Sequence, residues 1–238
     1  MATEHSEDFK AGADTRSTEI LQDCIAAVGG TKLEQARDLV VKGNHLLTLR
    51  ESGTDNDSIR KSTLTISGYK QHNAMVSGHF TYDHFNNGKS SWHLSNGEAV
   101  SFTEQALFPS DIVPWPGSIL SWQDRNKIEF AGESTIEDDK FWKLKFTHVH
   151  GHKSIRFFHQ ETNLPVRVEY YFDFDESPRG VATFEFSQHE DLQLPLEIRD
   201  TILQDGEKKL IRFFVFTEIE LDPEINQFLF EIPSKYDD

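Results

Sequence analysis

The spacing of apolar residues changes once along the chain, near residue 39. Before that point Ile20, Leu21, Cys24, Ile25 and Val28 recur at helical intervals and define one stripe. Ser17 is a suitable N-cap for this helix. Gly29-Gly30 ends it, because glycine accepts the left-handed conformation in which helices stop. Thr31 and Glu34 form a capping box for a short second helix over residues 32–37. Residues 1–16 are polar and without period, which predicts a disordered tail ahead of a single domain over 17–238.

From Leu39 onward the period is two. Strands are predicted at Leu39–Arg50, Lys61–Tyr69, Asn73–Phe85, Ser91–Leu94, Ala99–Thr103, Lys127–Gly132, Thr135–Val149, Ile155–His159, from Val166, and at Val181–His189, Leu196–Leu203 and Lys209–Leu221. Asn86-Asn87-Gly88, Asn96-Gly97 and Asp205-Gly206 supply hairpin turns. In the strand from Thr135, Trp142, Leu144 and Phe146 share one face while Lys143 and Lys145 take the other. No helix-length pattern separates these strands, so sequence neighbours should pair antiparallel. The last strand is apolar on both faces, with Leu210, Phe214 and Phe216 on one and Ile211, Phe213, Val215, Ile219 and Leu221 on the other. Such a strand is covered on both sides, and the N-terminal helix is the expected cover for one of them.

Residues 104–126 break the rhythm. Pro109, Pro114 and Pro116 exclude a central strand, yet the stretch stays apolar. Ser118–Trp122 reads as a helical turn. Phe102, Phe108, Ile112, Trp115, Ile119 and Trp122 gather around this break. With Phe214 and Phe216 they are candidate walls or lid of an apolar cavity; the competing expectation is that they cap the core. Leu107–Gly117 is expected to cover one end of the barrel.

Composition narrows the function. The chain has 238 residues, a formal net charge of −16 and 19 phenylalanines. Phosphate binding needs clustered Lys and Arg, so nucleic acid is not an expected partner, and the charge favours a monomer. No run approaches the roughly 20 apolar residues that span a bilayer, so stable membrane insertion is not expected. The N-terminus lacks the apolar core of a signal peptide, which reads as cytoplasmic; a mature exported, periplasmic chain would read the same. Cys24 is the single cysteine, which excludes an internal disulfide.

Candidate chemistry is sparse. His148, His150 and His152 alternate near His159, at a spacing that suits metal ligands. His45, His79, His84 and His93 are scattered and are expected at the surface or satisfied. The acidic runs Glu137-Asp138-Asp139 and Asp173-Phe174-Asp175-Glu176 fall at turns, where solvated loops compete with Ca²⁺ sites. No nucleophile elbow, phosphate loop or dinucleotide fingerprint is present, and no cofactor is implied. The residues therefore favour a binding protein over an enzyme. Two alternatives stand beside it: a metal-dependent hydrolase built on His148, His150, His152 and His159, and a structural or interaction module whose sheet edge pairs with a partner.

Several segments, in order, resemble the LolA-like superfamily of outer-membrane lipoprotein-sorting proteins. Ile25-Ala26-Ala27-Val28-Gly29-Gly30 followed by Leu39-Val40-Val41-Lys42-Gly43 is similar to the family's helix, Gly-Gly and first strand. Ile128–Glu133, Thr135–Phe146 and Ile155–Arg167 resemble its central strands, and Phe184–His189 with Leu194-Pro195 its "y-x-F-x-x-y…lP" passage. Phe228-Leu229-Phe230-Glu231-Ile232-Pro233 looks like its closing "F-x-x-P". The resemblance covers residues 18–234. It implies an α+β, mainly antiparallel fold: an open half-barrel of about ten strands with helices at the mouth. It also implies an apolar cavity for an acyl chain, lipid or lipidated partner.

Overall fold

A computed structural model of the chain describes residues 10–51, 54–103, 112–148, 152–171, 177–204 and 207–232. Fourteen strands among these residues form one open sheet, against the roughly ten that the resemblance implies. Counting starts with the two-residue β1 (Gly12–Ala13). Then follow β2 (Asp38–Glu51), β3 (Thr54–Ser67), β4 (Lys70–Ser77), β5 (Phe80–Asn86), β6 (Ser91–Ser95) and β7 (Glu98–Thr103). After a break come β8 (Asn126–Ile136), β9 (Asp139–His148), β10 (Lys153–His159), β11 (Pro165–Tyr171), β12 (Gly180–His189), β13 (Leu192–Gln204) and β14 (Glu207–Leu221). All pairings are antiparallel except that of β1 with β8.

The spatial order runs β1-β8-β9-β10-β11-β12-β13-β14-β2-β3-β4-β5-β6-β7. The last strand therefore lies beside β2 in the middle of the sheet. The segment from β7 to β8 leads from one edge to near the other. It carries the helix α2 (Pro116–Arg125), longer than the turn expected over Ser118–Trp122. Pro116 suits the first helical turn, where its missing N–H has no partner to lose.

The first helix, α1 (Thr15–Val28), starts earlier than its apolar stripe suggests. Asp14 is the cap in place of Ser17, and its Oδ1 accepts from the Ser17 N–H at 2.8 Å. Its Oδ2 accepts from the Phe130 N–H on β8, also at 2.8 Å. One carboxylate thus starts the helix and ties it to the sheet, and ordered structure begins before residue 17. The two backbone bonds hold Asp14 below the usual carboxylate range. Beyond Gly29 the chain makes a 3₁₀ turn, Gly30–Glu34, in place of the second α-helix.

Two further boundaries move for local reasons. The run Asn73–Phe85 is two strands, because Gly78 takes a positive φ and turns the chain between β4 and β5. Glu137 and Asp138 both sit at positive φ and form the β8–β9 turn. The turns at Asn96-Gly97 and Gly88 take the expected positive φ; Asp205-Gly206, the 173–176 acidic run, Phe172 and Phe174 lie outside the described residues.

The core has two main clusters. Ile20, Leu21, Cys24 and Val28 of α1 pack with Ile119 and Trp122 of α2 against Ile128, Leu144, Phe146 and Phe158. Trp142 adds its ring at the edge, under the Arg16 guanidinium. The second cluster joins Leu39, Val41, Leu64 and Ile66 to Trp115, Val168, Ala182, Phe184, Ile198 and Phe216. The α1 helix therefore covers β8–β10 and not β14, as the doubly apolar pattern had suggested. A β-bulge explains the end of the pattern. The β14–β2 register shifts between Phe216 and Glu218, so Ile219 and Leu221 return to the face of Phe214 and Phe216 and pack with their cluster. At the bulge, Gly43 is needed, since a Cβ there would overlap the Val215 carbonyl and the Phe216 Cα.

Candidate functional site

Alternation along β14 ahead of the bulge places Arg212, Phe214 and Phe216 on the same side as Ile198 and Asp200 of β13 and Tyr170 of β11. Leu64, Asn73 and His84 reach the same space from β3, β4 and β5. Ile112, Val113 and Trp115, the described end of the Pro-rich segment, close over it. Together they line a partly open cavity of about 160 Å³. A neighbouring cavity of about 170 Å³ shares Asn73, His84, Asn86, Arg212 and Phe214 with the first. A roomier polar recess of about 440 Å³ lies elsewhere, between the 3₁₀ turn and the β12–β13 hairpin.

One end of the first cavity is apolar. Trp115 is fully buried and stands edge-on to Phe216, with ring centroids 5.8 Å apart. Its indole N–H has no hydrogen-bond partner among the described residues. The segment before it is held by Arg156, whose guanidinium stacks on Trp122 and Phe146 and donates to the Ile112 carbonyl at 3.4 Å.

The other end is polar. The Tyr170 hydroxyl donates to Asp200 Oδ1 at 2.8 Å, and Arg212 Nε donates to Oδ2 at 2.9 Å. Arg212 Nη2 donates to the same oxygen. Gly180 makes room for this arrangement, since a Cβ there would overlap the Tyr170 hydroxyl. Burial, then Asp200, push the tyrosine hydroxyl well above its ordinary range. Burial works against the Arg212 charge, but Asp200 and Tyr170 outweigh it and hold the guanidinium charged.

Three histidines that are scattered in sequence meet beside this network, satisfied by neighbours in the interior and not at the surface, the other placement expected of them. His45 stacks on Phe214 with centroids 4.1 Å apart, and its Nδ1 lies 3.0 Å from the Met75 sulfur. His84 stacks on His93 at 4.4 Å, and the Tyr82 hydroxyl bonds to His93 Nδ1. Burial, reinforced by Arg212 and Arg60, lowers His45 to about 4. Burial, then His93 and Arg212, lowers His84 to about 3; burial also lowers His93. All three rings are uncharged at neutral pH.

The sequence-predicted wall is only partly assembled. Ile112, Trp115, Phe214 and Phe216 line the cavity. Ile119 and Trp122 do not: helix α2 turns them towards α1 and into the other core cluster. Phe102 sits across the ladder from Trp92 on β7 and lines neither cavity. Phe108 lies outside the described residues.

The second histidine group does not form a metal centre among the described residues. His148 Nε2 meets Arg125 Nη2 at 3.2 Å, and a guanidinium there opposes a cation. His159 sits 3.6 Å from Asp139 at the far end of its strand, while His148 and His152 are joined through their backbones beside the hairpin tip. His150 lies outside the described residues. What sequence reasoning missed is the polar end. Its signal was present: Asp200 and Arg212 occupy inward positions between Ile198 and Ile202 and between Leu210 and Phe214, where charge is rarely tolerated unpaired.

No protein-family model and no curated protein matches the sequence. Solved structures do match. A LolA superfamily protein from Nitrosomonas europaea superposes with a TM-score of 0.63 at 11% identity, covering 91% of this chain and 97% of that one. A DUF1329 family protein from Desulfovibrio piger gives 0.59 at 13% identity, over 90% and 97% of the two chains. An outer membrane lipoprotein-sorting protein domain from Vibrio parahaemolyticus gives 0.59 at 11% identity, over 90% and 96%. The chain thus shares its overall fold with these solved structures, a LolA superfamily protein and a lipoprotein-sorting protein domain among them.

Proposed function

We propose that the protein binds and carries an apolar ligand, such as a lipid or an acyl chain, in the half-barrel, and does so without catalysis. The observation that carries this reading is the cavity beneath Trp115. Its apolar end is built from Leu64, Ile198, Phe214 and Phe216. Concave, mostly apolar sites with a few convergent polar groups are the usual form of small-molecule sites. The shared fold with lipoprotein-sorting domains points the same way. A lipidated partner is compatible with the same cavity, with the chain and not the protein surface as the recognised group. The test is titration with an uncharged fluorescent hydrocarbon probe, alongside native mass spectrometry of freshly purified protein. Saturable one-to-one uptake, abolished by filling the cavity through Ala182→Phe in a variant that still melts cooperatively, is the expected result. Absence of uptake by the parent would remove the reading.

A further inference from the structure

The two cavities meet at Arg212, and the chemistry there restricts what can enter. Asp200 and Arg212 are the only charged side chains on either wall among the described residues, the histidines being neutral. They are not equivalent. Asp200 has both oxygens engaged, by Tyr170 and by Arg212. Arg212 carries a five-donor fork, of which that carboxylate takes Nε and Nη2, while the residue lines both cavities. Arg60 faces His45 across the β2–β3 ladder and adds a second positive charge nearby. The wall charges of Asp200 and Arg212 cancel, and Arg60 beside them tips the donor-rich end of the cavities towards positive in a chain of net charge −16.

Size narrows the choice further. Cavities of about 160 and 170 Å³ are small beside a drug-sized pocket, and an engineered void of about 150 Å³ accepts benzene. One hydrocarbon chain fits such a space; two do not.

We propose that the occupant is a single-chain amphiphile with a small anionic head, the head held at Arg212 and the chain lying along Leu64, Trp115, Ile198 and Phe216. This deepens the carrier function proposed above and rests on it. Charge-assisted hydrogen bonds to a carboxylate are roughly twice as strong as neutral ones, and they strengthen further where the guanidinium is buried.

Three ligands of equal chain length separate the possibilities: octanoate, octanol and octylamine, measured by displacement of the uncharged probe at pH 8. Octanoate should bind about tenfold or more tighter than octanol, with octylamine weakest. The double variant Arg212→Leu/Asp200→Leu removes both charges together, since removing one would strand the other. In it the preference should vanish while octanol binding survives. Equal binding of octanoate and octanol by the parent would overturn the anionic head and leave the apolar carrier standing. Failure of all three and of the probe would overturn both. A preference that persists in the double variant would overturn the assignment to Arg212. Should that variant fail to fold, the ligand series on the parent protein decides the question alone.

Discussion

Trp115 has no exposed surface, meets Phe216 edge-on and forms part of the cavity wall. Trp115→Ala should therefore cost about 3–5 kcal/mol in denaturant unfolding and enlarge the cavity. Trp115→Phe should cost much less. It keeps a ring and removes an indole N–H that is buried without a partner among the described residues, whose desolvation costs about 1–3 kcal/mol. His45 sets a pH dependence. Its value is about 4 folded against about 6.5 unfolded, so between these limits the unfolded chain binds a proton that the native ring refuses. Stability should fall as pH drops from 6.5 to 4, by up to about 3 kcal/mol from this residue, and the contribution is complete below that range. Urea midpoints of the parent and His45→Phe measured across that window check this: the variant should show a shallower slope. At this scale the sequence is legible where a residue follows the period. Phe214 and Phe216 are of this kind, whereas Arg212 and Asp200 read as ordinary polar positions until their strands are known to face inward.

The elements show where period alone misleads. The apolar stripe of α1 begins at Ile20, and Ser17 lies at a plausible distance before it, yet Asp14 wins the cap because it satisfies the Phe130 N–H as well. That second bond is tertiary and leaves no trace in local sequence. Asp14→Ala should cost about 1–2 kcal/mol, read in thermal melts, and loosen the pairing of β1 with β8. Asp14→Ser should recover the helix cap but not the bond to β8. The bulge after Phe216 is hidden in the same way. With strict alternation, Ile219 belongs on the outer face with Phe213; one extra residue in β14 returns it to the core. The first helix and most strands and hairpins were readable because their signals are local, in apolar spacing and in Asn-Gly pairs. Bulges and long-range caps answer to partners far along the chain.

For the whole molecule, the antiparallel order of neighbours was legible, but the joining of the two halves was not. Period-two segments specify strands and their successive pairing, while nothing in either strand announces that β14 lies beside β2. The cavity inherits that gap, since its walls are drawn from β3–β5 on one side of the joint and β11–β14 on the other. That joint has a consequence in time. Leu39 pairs with Leu221, so the middle of the sheet closes one of the longest loops the chain contains. Contacts this distant in sequence slow folding, because loop closure must precede their reward. During synthesis, β2–β7 and β8–β13 can each form a meander with one unfinished edge, and only the arrival of Glu207–Leu221 unites them. A chain ending at residue 206 should therefore be cut readily by protease and bind no apolar probe, whereas one ending at residue 232 should resist cleavage and take up the probe. On the proposed reading, the cavity lacks its β13-side neighbour until β14 is in place, so uptake of an apolar ligand would have to follow the pairing of β14 with β2 and β13.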